Sequence, residues 1–108
     1  HAMAPGHAAP DAESLMRSRY TAYTLQLDGY LLDTWHSTTR PTTPFHHEPG
    51  LRWLGLQVVR HESLGADQAI VEFVARSKTG GASAVRLHEI SRFVREGGRW
   101  YYLDGRTG

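Results

Sequence analysis

Apolar residues in the first quarter of the chain return every three or four positions. Met16, Tyr20, Tyr23 and Leu27, with Leu15 beside them, form one stripe, which predicts a helix beginning near Asp11. Asp11 suits its first position, because an aspartate there accepts from backbone N–H groups that have no partner within the helix. Arg17 and Arg19 flank the stripe. Asp28-Gly29 reads as the break, and Leu31, Leu32 and Trp35 give an apolar side to a second, shorter helix from Tyr30 to about His36. Pro41 and Pro44 exclude further helix, so residues 37–50 read as a polar loop. After Gly50 the period drops to two. Alternation predicts strands over Leu51–His61, Ala69–Arg76, Val85–Glu96 and Trp100–Leu103. Leu64-Gly65-Ala66-Asp67, Thr79-Gly80-Gly81 and Gly97-Gly98 supply the turns, and Gly55 marks a bulge or bend. Consecutive hairpins imply an antiparallel sheet. The fold class is therefore α+β, with helices on one face of a curved four-stranded sheet and a cavity where the helices leave it uncovered.

Composition narrows the picture. The chain has 108 residues, 40% apolar and 21% charged, which is enough for one domain with one core and excludes a disordered chain. Residues 1–10, rich in Ala, Pro and Gly, read as a flexible arm that opens with a tag remnant, and 11–108 as the domain. A net charge of +1 argues against nucleic acid or an anionic membrane as the main partner. There is no cysteine, so neither disulfides nor cysteine-based zinc sites exist in this chain, and no cofactor is expected. No apolar run has membrane-spanning length, and no signal-peptide core is present near the start, so the expected location is the cytoplasm.

The sharpest candidate chemistry lies in the third strand. One face reads Val85, Leu87, Glu89, Ser91, Phe93, which sets a carboxylate among apolar neighbours. Turned toward the helices, Glu89 is a candidate general base or ligand anchor. Paired with Arg17, Arg19 or His36, it is a tie between sheet and helix, and buried carboxylates usually have such partners. His36, with Trp35 beside it, is the second candidate, as a proton shuttle or ligand contact. Tyr20, Tyr23 and Tyr102 offer hydroxyls, and alternation allows only one of Tyr101 and Tyr102 to face inward. Arg17 and Ser91 complete the candidate pocket. Trp53 and Trp100 read as core or cavity wall. His46-His47-Glu48 is a poor metal motif, because adjacent histidines diverge on extended chain and His36 or His61 would have to join them. Arg52 and Arg60 share the period of Leu54, Leu56 and Val58, and Arg86 and Arg92 occupy the outer face of the third strand. With Glu72 and Glu96 nearby, these arginines read as a solvated face.

Six blocks in order resemble the middle domain of the bacterial YchJ-like family. They are Leu15-Met-Arg-Ser-Arg-Tyr-Thr-Ala-Tyr23, Tyr30-Leu-Leu-Asp-Thr-Trp-His36, Trp53-Leu-Gly-Leu56, Val71-Glu-Phe-Val-Ala-Arg76, Glu89-Ile-Ser-Arg-Phe93 and Trp100-Tyr-Tyr-Leu-Asp-Gly105. The resemblance implies a cone-shaped fold like nuclear transport factor 2. It also implies cysteine-rich SEC-C zinc segments outside the domain, which this sequence lacks. The favoured function is a non-catalytic module that binds a small molecule or peptide in the cone. The alternatives are a small proton-transfer enzyme of isomerase or dehydratase type, with Glu89 as base helped by His36 and a tyrosine, and an accessory domain in translation or protein export. A homodimer through the exposed sheet face is also expected from the resembling folds.

Overall fold

Asp11 begins the first helix in the way its side chain allows. In the computed structural model, which describes residues 9–43, 45 and 47–107, its Oδ1 accepts from the Ser14 backbone N–H at 2.7 Å. Residues 1–8 of the arm lie outside that range. Helix α1 runs Ala12–Leu25. The Ser14 N–H bond holds the Asp11 carboxyl below its ordinary value. Its contribution is therefore complete above the unfolded value near 3.8 and is lost as pH falls through the lower folded value. Asp11→Ala should cost about 1 kcal/mol near neutral pH. In urea titrations the gap between the two proteins should close as pH falls below about 4. A gap that persists at pH 2 would show that the loss is not the cap.

Helix α1 ends one step earlier than Asp28-Gly29 suggests. Gln26 takes the left-handed conformation (φ 56°), and the Leu27 N–H reaches back to Ala22 O at 2.9 Å. Asp28 and Gly29 then form the first turn of α2, Asp28–Asp33, instead of breaking the chain. An acidic residue is favoured at that position by the helix dipole. Trp35 and His36 lie beyond α2, not at its end. They run alongside the fourth strand, where His36 N–H donates to Tyr102 O and Tyr102 N–H to Thr34 O, both at 2.8 Å.

The strands are β1 Leu51–Ser63, β2 Gln68–Thr79, β3 Val85–Glu96 and β4 Arg99–Thr107, in one antiparallel sheet of order β1-β2-β3-β4. Two register shifts interrupt β1, between Trp53 and Gly55 and between Val58 and Arg60. Each bulge reverses which residues face the helices. Leu56 and Val58 therefore pack against the core, while Arg52 and Arg60 pair with Lys78 and Glu72 on the opposite face. The shared face expected for Arg52, Arg60, Leu54, Leu56 and Val58 does not exist, and Leu54 is exposed at the first bulge. Arg60 contacts Glu62 at 2.6 Å and Glu72 at 3.3 Å, and Arg92 contacts Asp104 at 2.5 Å.

The core joins α1 to the sheet at one end: Ala12, Leu15 and Met16 lie on Ala69, Val71 and Phe93. Toward its C-terminal half α1 presents the larger Tyr20 and Tyr23, and there packing against the sheet is incomplete. Among the described residues no helix is long and apolar enough to cross a membrane.

Candidate functional site

The incomplete packing leaves a cavity of about 270 Å³, partly open to solvent. One turn-spaced row of α1 forms its roof: Met16, Arg19, Tyr20 and Tyr23. The sheet forms its floor. Alternation on β3 brings Leu87, Glu89, Ser91 and Phe93 to the same face, beside Phe73 and Ala75 of β2, Trp53 of β1 and Tyr102 of β4. Tyr20 and Trp53 meet edge to face, with ring centres 5.8 Å apart.

Glu89 is the one carboxylate on this wall. Its Oε2 accepts from Ser91 Oγ at 2.6 Å, and the Tyr102 hydroxyl stands 3.5 Å away. Gly105 makes room for it: a Cβ there would overlap Oε2 and lie 2.8 Å from Cδ of Glu89 and 3.0 Å from the Tyr102 hydroxyl. Among the described residues, no arginine, lysine or histidine stands within ion-pair distance of this carboxylate. The expected tie to Arg17, Arg19 or His36 is therefore not made. Arg17 points outward to Glu13 at 3.0 Å. His36 accepts at Nδ1 from the Thr38 N–H (3.2 Å) and donates from Nε2 to Glu96 (2.9 Å).

Arg19 is the opposite pole. Only 5% of it is exposed, and its Nη1 donates to Leu31 O at 2.8 Å and Thr34 Oγ1 at 2.6 Å. Its guanidinium carbon lies 4.6 Å from the ring centre of Tyr102 and 5.0 Å from that of Trp35. Burial lowers its pKa, and neighbouring tyrosines partly offset this. Burial likewise raises both phenols: at Tyr102 the Glu89 carboxylate adds to the rise, whereas at Tyr23 the Arg19 guanidinium opposes it. Tyr102 thus touches both a cation, over its ring, and a carboxylate, at its hydroxyl, inside one apolar cavity.

The model of the family described as "YchJ, middle NTF2-like domain" matches residues 11–105. The chain belongs to this family. A UPF0225 protein of Polaromonas sp. is 59% identical over 94% of this chain and 73% of its own length. One from Methylibium petroleiphilum is 62% identical over 90% and 71%. The solution structure of a SEC-C motif containing protein from Rhodopseudomonas palustris matches with a TM-score of 0.82 at 33% identity, over 94% of this chain and 82% of that one. The nuclear-transport-factor-2-like α+β fold expected from the six blocks is the fold of this YchJ-like domain.

Of the residues singled out in the sequence, Tyr20, Tyr23, Glu89, Ser91, Tyr102 and, as the wall residue expected, Trp53 line the cavity, and Arg17, Trp35 and His36 do not. Trp35 stands behind Arg19 and Tyr102, the latter ring centre 4.9 Å away. Tyr101 is not part of the cavity lining, and its ring meets that of His36 edge to face, centres 6.0 Å apart. Arg19 was missed as a lining residue although its place was visible: it follows Met16 by three positions and precedes Tyr23 by four, on the stripe itself. Gly105 had no such signal. His46 lies outside the described residues. His47 pairs with Asp28 and His61 with Glu13, far from convergence, and among the described residues no group of three potential metal ligands is gathered.

Proposed function

We propose that this domain is a non-catalytic binding module whose cavity holds a small molecule, or one side chain of a peptide, with an apolar body and a hydrogen-bond donor directed at Glu89. One observation carries the reading: a carboxylate without a basic partner among the described residues stands on the wall of an open apolar cavity. Ligand sites typically combine such apolar lining with few polar groups, in cavities of roughly 300–1,000 Å³. The cavity here lies just below that range, which favours a compact ligand.

The test is a fragment screen followed by backbone NMR. Binding fragments should move resonances of Trp53, Leu87 and Glu89. Ala75→Leu, which places a larger side chain in the cavity from a wall position, should abolish those shifts. A screen that moves only residues of the outer sheet face would sink the reading. Glu89→Gln keeps the shape and one acceptor but removes the charge, so it should weaken donor-bearing fragments several-fold. Unchanged affinity would remove Glu89 from the site.

A proton-transfer enzyme is the second reading. The facing of Glu89 and the Tyr102 hydroxyl at 3.5 Å favours it. His36, the helper expected from the sequence, does not line the cavity and is engaged with Glu96. Conversion of a bound fragment by the wild type but not by Glu89→Gln would establish that reading.

A further inference from the structure

Arg19 has a feature that a donor-binding pocket does not use. Buried cations are normally matched by an acid, because desolvation of an unpaired charge is expensive. Arg19 is 95% buried, yet among the described residues no carboxylate lies within ion-pair distance of it. Its partners are neutral: a carbonyl and a hydroxyl, both held by Nη1, the Tyr23 hydroxyl, and the faces of Trp35 and Tyr102. A guanidinium carries five N–H donors in a fixed fork. Two bonds from Nη1 and the contact with the Tyr23 hydroxyl leave part of that fork for a ligand at the cavity wall, which Arg19 lines.

The carboxylate in the same cavity, Glu89, stands at the hydroxyl end of Tyr102, whereas Arg19 lies over the ring, and it is engaged with the hydroxyls of Ser91 and Tyr102. The cavity therefore has a cationic pole on α1 and an anionic pole on β3, joined by aromatic surface. We infer that its ligand is a small organic acid with a hydroxyl or amino group at its other end. The carboxylate would pair with Arg19, the donor would reach Glu89, and an aromatic or branched apolar body would lie between Tyr20, Trp53 and Phe73. A planar carboxylate matches the guanidinium fork. A phosphate would bring a second negative charge into a cavity that already contains Glu89. This inference rests on the binding-module reading.

Four probes of similar size separate the terms on the wild-type chain: 4-hydroxyphenylacetate, phenylacetate, 4-hydroxyphenylacetamide and tyramine. NMR titration should rank the hydroxy acid first. Phenylacetate, lacking the donor, and the amide, lacking the charge, should each bind about tenfold more weakly. Tyramine, which cannot supply an anion to Arg19, should bind more weakly still. An amide as tight as the acid, or tyramine tighter than both, would overturn the inference and leave the binding reading standing. If no probe at millimolar concentration moves a cavity resonance, both fail. Arg19→Met should reduce the preference for acid over amide to near parity, and a folded variant that kept the preference would overturn the assignment. If that variant does not fold, the wild-type ranking decides.

Discussion

Truncating Phe93 to alanine should lower the unfolding free energy by about 3–5 kcal/mol. A domain of this kind has about 5–15 kcal/mol in total, so the variant should be close to the edge of folding at 37 °C. Phe93 is 1% exposed and joins the two halves of the structure. On one side it belongs to the cluster of Ala12, Leu15, Met16, Ala69 and Val71, where α1 meets the sheet. On the other it meets Tyr102 edge to face at 5.7 Å and forms part of the cavity wall. The void left by the ring would connect with a cavity already present, and neighbours that border an open space on one side have little reason to close a second. Urea titration followed by circular dichroism should show a lower midpoint with an unchanged slope. A loss under 1 kcal/mol would mean that the core is anchored elsewhere.

The same residue shows how far the sequence could be read. Phe93, Ser91, Glu89 and Leu87 share a face by alternation alone: the pairing with β2 runs through them without a shift, and the shift between Arg92 and Phe93 in the pairing with β4 leaves its extra residue, Leu103, on β4. That stretch of β3, the Asp11 cap and the change of period at Gly50 are local signals, and the structure keeps all three. Where tertiary context decides, the reading failed. Gly55 marks the first bulge of Leu51-Arg-Trp-Leu-Gly-Leu-Gln-Val-Val-Arg60, but nothing there signals the second, between Val58 and Arg60, or shows how the faces exchange, so the faces assigned to Arg52 and Arg60 were mixed. Asp28-Gly29 has the composition of a turn and also that of a first helical turn, and the left-handed Gln26, two residues before Asp28, settled the matter. Strand β4 extends to Thr107, past the expected end at Leu103, because Gly105 and Thr107 find partners in Ser91 and Glu89. The site suffered in the same way. Tyr20, Tyr23, Trp53, Glu89, Ser91 and Tyr102 were legible as candidates for the site or its wall, but the partner of Glu89 was sought among cations when the fold supplies hydroxyls.

Gly105→Ala should separate the fold from the site. Gly105 does not have a positive φ, so alanine is tolerated by the backbone, and the restricted unfolded chain should add about 0.4–1 kcal/mol of stability. Against that stands the loss of the Ser91–Glu89 hydrogen bond, whose acceptor is charged and whose donor is buried, so that it is worth about 1.5–3 kcal/mol. The loss exceeds the gain, so the unfolding free energy should fall by about 1–2 kcal/mol while the domain stays folded. The new Cβ, however, takes the space of the Glu89 carboxylate, and the flexible end of that side chain must swing away from Ser91 and Tyr102. A ligand that donates to Glu89 would then lose a charge-assisted bond worth about 1.5–3 kcal/mol, a ten- to hundredfold drop in affinity. Combining the change with Glu89→Gln makes the argument sharper. In the wild-type background Glu89→Gln weakens binding, whereas in the Gly105→Ala background it should have no further effect, because the carboxylate has already left the ligand. Additive losses would mean that Glu89 still reaches the ligand from its displaced position. Full affinity in Gly105→Ala would show that the carboxylate's place between Ser91 and Tyr102 is not what the ligand reads.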